Sequence, residues 1–246
     1  RMRFGDITLS SGQSVLVVNR LTALQMRYGD LPNIVGEYSG NLNNESERII
    51  LRNSSGSTVL DYTYSGNWYD LTDGNGHSLT VINPFNQSVY FGNKGSWRPS
   101  RNSGGSPGNK PDPYFDWVWR NFSDSASFDL ETSGELRDPD VDGMSNVFEY
   151  ALSTDPRIND KPYSSSLVHQ NGDKFMFFAH KLNLEAENLA VSIEFSYDLV
   201  EWVPLKNHFN LYIDDQVDES TKLNGWISNQ ALSRQRNFFI RVSIRN

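Results

Sequence analysis

The chain has 246 residues, 37% hydrophobic and 13% aromatic, which is enough apolar material to bury a core in one or two domains and excludes a wholly disordered chain. Its formal charge of −8 argues against nucleic acid and anionic membranes as partners, and the absence of cysteine excludes disulfides, thiolate metal sites and cysteine nucleophiles. The longest apolar runs, such as Phe175 to Ala179, fall far short of the roughly 20 residues that a membrane-spanning helix needs.

Val15 to Val18 is a short apolar run between turn residues, the pattern of a buried strand. Leu21, Leu24 and Tyr28 recur at helical spacing, and Gly29 is the stop. Strands are predicted over 47–51 and 58–64, joined by the turn residues Asn53 to Gly56. Another strand, Ser78 to Ile82, leaves the glycine-rich turn Asp73-Gly74-Asn75-Gly76. Short strands separated by such turns point to a β-sandwich. From Arg101 to Pro113, Gly104, Gly105, Gly108 and the prolines mark a linker that can sustain neither helix nor central strand.

Beyond the linker, Tyr114, Trp117, Val118 and Phe122 share one face of a predicted helix. Core packing is the plainer reading of this stripe; a sugar-stacking platform is the alternative, with Trp119, off the main face, as the residue to watch. Val147 to Leu152 is a second short helical stretch. From Tyr163 the pattern is β again: Val191, Ile193 and Phe195 alternate with polar residues, and Phe238, Ile240, Val242 and Ile244 share a face. The expected architecture is mainly β, with an immunoglobulin-like sandwich over 1–109, a short helical connector over 110–162 and a second, smaller sandwich over 163–246.

The charge is concentrated in that connector. Residues 111–160 hold 12 Asp or Glu against 3 Arg, whereas the remainder is nearly balanced. Within it, Asp138-Pro-Asp140-Val-Asp142-Gly143-Met144-Ser-Asn146-Val-Phe-Glu149 fits the twelve-residue calcium loop, with acids at positions one, three and five, glycine at six and glutamate at twelve. Ca²⁺ takes about 6–8 oxygens at about 2.3–2.6 Å, and alternate residues of a tightly wound loop aim theirs inward. The expected ligands are Asp138, Asp140, Asp142, the Met144 carbonyl, Asn146 directly or through water, and Glu149 bidentately from the first turn of the exit helix. Val141 stands at loop position four, where the backbone often turns left-handed, which a β-branched residue resists. The entering side, Phe128 to Arg137, lacks helical periodicity, so a structural clamp is expected in place of a sensor that opens a groove.

Two resemblances follow from these residues. Gly36 to Leu51, Tyr64 and Trp68, Asp73 to Leu79, Trp97 to Ser100 and Gly105 to Gly108 together resemble the lamin-tail domain over residues 4–109. That resemblance implies an immunoglobulin-like sandwich serving as an accessory module. It enters at Phe4 to Leu9 without the family's opening strands, which implies a truncated module with an exposed edge unless another strand substitutes. Phe115 to Phe122, the loop from Asp138, Asn146 to Leu152, Thr154 to Pro156 and Glu194 to Trp202 resemble a C-terminal region of exported verrucomicrobial and planctomycete-type proteins. The loop itself is similar to EF-hand, dockerin and thrombospondin type 3 loops. Ser153 stands where a glycine often ends the helix.

Enzyme readings are weak. Gly104-Gly-Ser106-Pro107-Gly108 matches G-x-S-x-G formally, but Pro107 has no N–H to offer an oxyanion. His77, His169, His180 and His208 have no metal-ligand spacing. The functional expectation is a non-catalytic, calcium-binding structural or interaction module of an exported bacterial protein, extracellular or at the cell surface. The alternatives are a module binding a surface glycan or protein, and an accessory fragment of a larger exported enzyme.

Overall fold

The structure, a computed structural model, describes residues 1–10, 12–84, 88–109, 112–231 and 238–245. Strands outweigh helices in it, and the chain divides into two compact units, Arg1–Asp112 and Pro113–Asn246. The division falls inside the Gly/Pro-rich segment, and the predicted connector packs within the second unit.

The first unit is built from paired strands. β1 (Leu16–Val18) pairs in parallel with β2 (Ile34–Glu37) across α1 (Leu21–Tyr28), which stops at Gly29. β3 (Ser46–Arg52) and β4 (Thr58–Ser65) form a hairpin over the predicted Asn53–Gly56 turn, where the Asn53 carbonyl accepts from Gly56. β5 (Leu79–Val81) pairs with β6 (Trp97–Pro99). These are three two-stranded ladders among the described residues, and aromatic packing joins β4 and the turn after it to β6: Trp97 lies 5.4 Å from Tyr62 and 6.2 Å from Trp68 between ring centroids. The Tyr69 hydroxyl donates to the Trp97 carbonyl at 2.8 Å, tying the buried Tyr69 to β6.

The second unit opens with α2 (Pro113–Asn121). Its predicted apolar face is buried against Tyr150 and Ala186, and Phe122 packs at the edge of the same cluster. α3 (Leu130–Ser133) is a single turn, and α4 (Asn146–Leu152) follows the acidic loop. Seven strands come next: β7 (Tyr163–Gln170), β8 (Asp173–Asn183), β9 (Ala190–Ser196), β10 (Val203–Pro204), β11 (Phe209–Gln216), β12 (Thr221–Ser228) and β13 (Phe239–Arg245). They make one antiparallel sheet of order β11-β12-β8-β7 and another of order β10-β9-β13. Met176, Phe178 and Trp226 from the first sheet share a core with Ile193, Phe195, Ile240 and Val242 from the second, so the two sheets form a sandwich. The face predicted for the last strand is the one that packs inward.

Close approach at the middle of this sandwich requires a glycine. A Cβ on Gly225 would lie 2.9 Å from Ile213 Cβ and 3.0 Å from Phe177 Cζ, and β11 is irregular between Leu211 and Ile213 opposite it. Gly225→Ala is therefore expected to overpack the sheet and lower the unfolding free energy by about 1–3 kcal/mol, read from a denaturant titration. An unchanged midpoint would show that Ile213 yields without cost.

Candidate metal centre

Backbone bonds close the acidic loop. The amide of Asn146 donates to the Arg137 carbonyl at 2.7 Å, and that of Val147 to the Glu135 carbonyl at 2.9 Å, so entry and exit are held side by side. On the entering side, Asp129 caps α3 by accepting from the Glu131 amide and the Thr132 hydroxyl. The entering element is thus one helical turn, longer than the sequence pattern indicated and far short of a full helix.

Inside the loop, the carboxylates wind the backbone around themselves. Asp138 accepts from the Asp142 amide at 3.2 Å and from the Gly143 amide at 2.9 Å, and Asp142 accepts from the Met144 amide at 2.7 Å. Gly143 takes φ +93°, the sharp turn for which glycine is suited. Asp138, Asp140 and Asp142 each bring an oxygen within 4.8 Å of the others, and among the described residues they form the group of acids and histidines able to share an ion. That separation matches oxygens facing one another across a cation with bonds of about 2.3–2.6 Å. Met144 lies at the exit of the turn.

Glu149 explains why the cluster is arranged this way. Its residue is 0% exposed, and neither carboxylate oxygen has a hydrogen-bond partner. Burial first, then the charges of Asp140, Asp142, Asp160 and Asp138, push its pKa up to about 8, and all of these influences act in one direction. Asn146 is also 0% exposed. Its Nδ2 donates to the carbonyls of Thr132 at 2.9 Å and Gly134 at 2.8 Å, while its Oδ1 is left buried and unpartnered. Asp140 Oδ2 is in the same state. Buried polar atoms are normally paired, so unpartnered buried oxygens on three residues of this loop and its exit helix are an exception, beside a group of aspartates that could hold a metal ion. The donors are all oxygens, which suits a hard divalent cation. Of the predicted ligand residues, Asp138, Asp140 and Asp142 are brought within 4.8 Å of one another, while Glu149 lies outside that group and interacts with it through its charge environment.

That helix is anchored on both sides. The Tyr150 hydroxyl donates to the Glu185 carbonyl at 2.9 Å, and Asn183 Nδ2 donates to the Tyr150 carbonyl at 2.8 Å. At its end Ser153 is left-handed, with φ +53°, as a cap position demands, and its Oγ accepts from Thr221 at 3.2 Å. Val141 is also left-handed, with φ +61°, and 81% exposed, so the strain expected at loop position four is present with no packing to offset it.

Sequence reasoning missed Asp160. Its Oδ1 is buried without a partner, and burial is the main influence raising its pKa, opposed by Lys181 and reinforced by Asp142 and Asp155. It lies outside the twelve-residue motif; its one signal was membership of the acidic segment.

The other candidates lie apart from this loop in sequence, and local contacts hold them. Ser106 opens a turn closed by the Asn109 amide on its carbonyl at 3.1 Å, with Pro107 and the left-handed Gly108 at the central positions. His77 Nδ1 lies 2.6 Å from the Ser100 carbonyl oxygen, and the buried His180 takes the Trp226 indole N–H on Nε2 at 3.4 Å. Trp119 is half-buried and edge-on to Phe128, while Tyr114, Trp117 and Val118 of the same helix are core, with Phe122 packed against them. Comparison with protein families, curated proteins and solved structures returns no match.

Two outcomes are expected here. Val141→Asn, which tolerates the left-handed backbone, should raise the unfolding free energy by about 1 kcal/mol, measured by chemical denaturation; a loss would show that Val141 makes a contact worth more than its strain. The second concerns pH. Glu149 has a folded pKa raised from 4.5 to about 8, so the folded, metal-free chain holds a proton that the unfolded chain has released, and stability falls as pH rises through that window. His180, whose pKa burial lowers from 6.5, acts in the opposite sense only below that value. Metal-free protein should therefore have a lower denaturation midpoint at pH 8 than at pH 6.5, and a rise over that interval would contradict the placement of Glu149.

Proposed function

We propose that the chain is a non-catalytic, calcium-binding structural module of an exported bacterial protein, in which the ion clamps the loop Asp138–Glu149 to the sandwich that follows it. The observation that carries this reading is the Glu149 carboxylate, fully buried, without a hydrogen bond and raised in pKa by the charges of the three aspartates that come within 4.8 Å of one another. A carboxylate in that position is unfavourable by several kcal/mol unless it is neutralised or paired. Bound calcium supplies the charge that reverses this cost. Asp138, Asp140, Asp142, the Met144 carbonyl, Asn146 and both Glu149 oxygens form a flexible shell of about 6–8 oxygens, the number calcium takes, whereas magnesium demands a strict octahedron and retains waters.

The residues then transmit the constraint. Glu149 and Tyr150 are neighbours on α4, and Tyr150 is part of the core that seats α2 and of the hydrogen bonds that reach Asn183 and Glu185 beyond β8. Holding Glu149 inward therefore fixes α2, α4 and the end of β8 together. A single entering turn and an exit helix of seven residues leave little that could open as a sensor does, which favours a clamp. The resemblance of the first unit to a lamin-tail module, and of the second to a region of exported proteins, supports the export reading. A weak site would be filled by extracellular calcium at millimolar levels. Among the described residues no helix is long and apolar enough to cross a membrane.

Calcium should raise the melting temperature, and a concentration about a hundred times Kd should add about 2.7 kcal/mol to the unfolding free energy. Glu149→Gln should do two opposite things: remove most of the calcium-induced rise and make the metal-free protein more stable than the metal-free parent near neutral pH, because Gln is neutral at that buried position without taking up a proton on folding. Thermal melts with and without chelator measure both. An equal melt in calcium and chelator for the parent chain would end the calcium reading.

A further inference from the structure

We infer that Asp160, which follows the loop by eleven residues, belongs to the same cation site, as a carboxylate supplied from outside the loop that completes the negative shell around the ion. The inference rests on the calcium reading and extends it. At the end of α4 the amide of Thr154 bonds the Glu149 carbonyl at 3.0 Å, Ser153 turns left-handed, and Pro156 is fully buried. The chain then runs beside β8, where the Lys181 amide donates to the Pro162 carbonyl at 3.1 Å. Pro162 and Tyr163 line one cleft with Gly143 and Met144, positions six and seven of the loop, so the chain two residues beyond Asp160 shares a cleft with the loop's turn.

Asp160 is half-buried as a residue, yet its Oδ1 is buried and makes no hydrogen bond, to Lys181 or to any other described group. Its charge is felt at Glu149, and it feels Asp142 in turn. A carboxylate with a buried oxygen close enough to feel Asp142 and to act on Glu149 is repelled in the absence of a cation and attracted in its presence; Glu149, buried with both oxygens unpartnered, is the independent sign that a cation belongs there. Lys181, exposed on β8, draws Asp160 the other way and is the alternative partner.

The test is calorimetric titration of calcium chloride into the whole chain and into Asp160→Asn, an isosteric change, with metal-free melts of both. The variant should bind calcium about tenfold to a hundredfold more weakly, the range found when a group supporting a metal site is lost. Its metal-free melting temperature should equal or exceed that of the parent. An affinity within about twofold of the parent would overturn the inference, because groups that act on a bound metal cost more than that. A lower metal-free melting temperature, or failure to fold, would assign Asp160 to Lys181 and the fold and would also overturn it. If the parent gives no calcium heat, the underlying calcium reading fails; if the parent binds and the variant binds equally, only the role of Asp160 fails.

Discussion

The Glu149 carboxylate is held inside the second unit by residues that cannot release it without dismantling a core. Glu149 is followed on α4 by Tyr150, Ala151 and Leu152, which are 1%, 1% and 2% exposed. Rotating the helix to return the carboxylate to water would withdraw Tyr150 from Tyr114 and Trp117 and break its bonds with Asn183 and Glu185. Packing therefore dictates where the charge sits, and the charge dictates what must accompany it. The three aspartates make the position worse unless a cation arrives, so under the calcium proposal a feature that is unfavourable alone couples ion binding to order.

The helix itself needs that help. Seven residues are too few for a stable isolated helix, and both of its flanks include left-handed residues that are not glycine, Val141 within the loop and Ser153 at the cap. Such conformations persist where surrounding structure over-determines them. Here the surroundings are the hydrogen-bonded loop carboxylates on one side and the Thr221 hydroxyl and the Thr154 amide on the other. Asn146 fastens the entering segment with its amide nitrogen through Thr132 and Gly134, and in the proposal its buried, unpartnered oxygen serves the site.

The loop was legible in the sequence because each ligand role has a fixed spacing, and Asp138 to Glu149 meets every one of those spacings. The depth at which Glu149 and Asn146 are buried was not legible, since it depends on α2 and on the turn after β8, which are remote in sequence. Asp160 was invisible for the same reason: no spacing rule reaches across the chain reversal after α4. Alternation in Val191 to Phe195 and Phe238 to Ile244 identified inward faces, but a period of two names a face and not a neighbour, so the order of strands in the two sheets came only from the structure. The parallel pairing of β1 and β2 around α1 was hidden likewise. The single turn of α3 is too short to carry periodicity, and Asp129, its capping residue, was the signal available.

The most direct test of the central claim is a crystal structure of the chain grown in excess calcium, with anomalous scattering recorded to locate the ion. The account predicts one anomalous peak inside the loop, bound by Asp138, Asp140 and Asp142 and by both oxygens of Glu149. Well-ordered loop density with no peak, and Glu149 turned to solvent or hydrogen-bonded as a neutral acid, would contradict it.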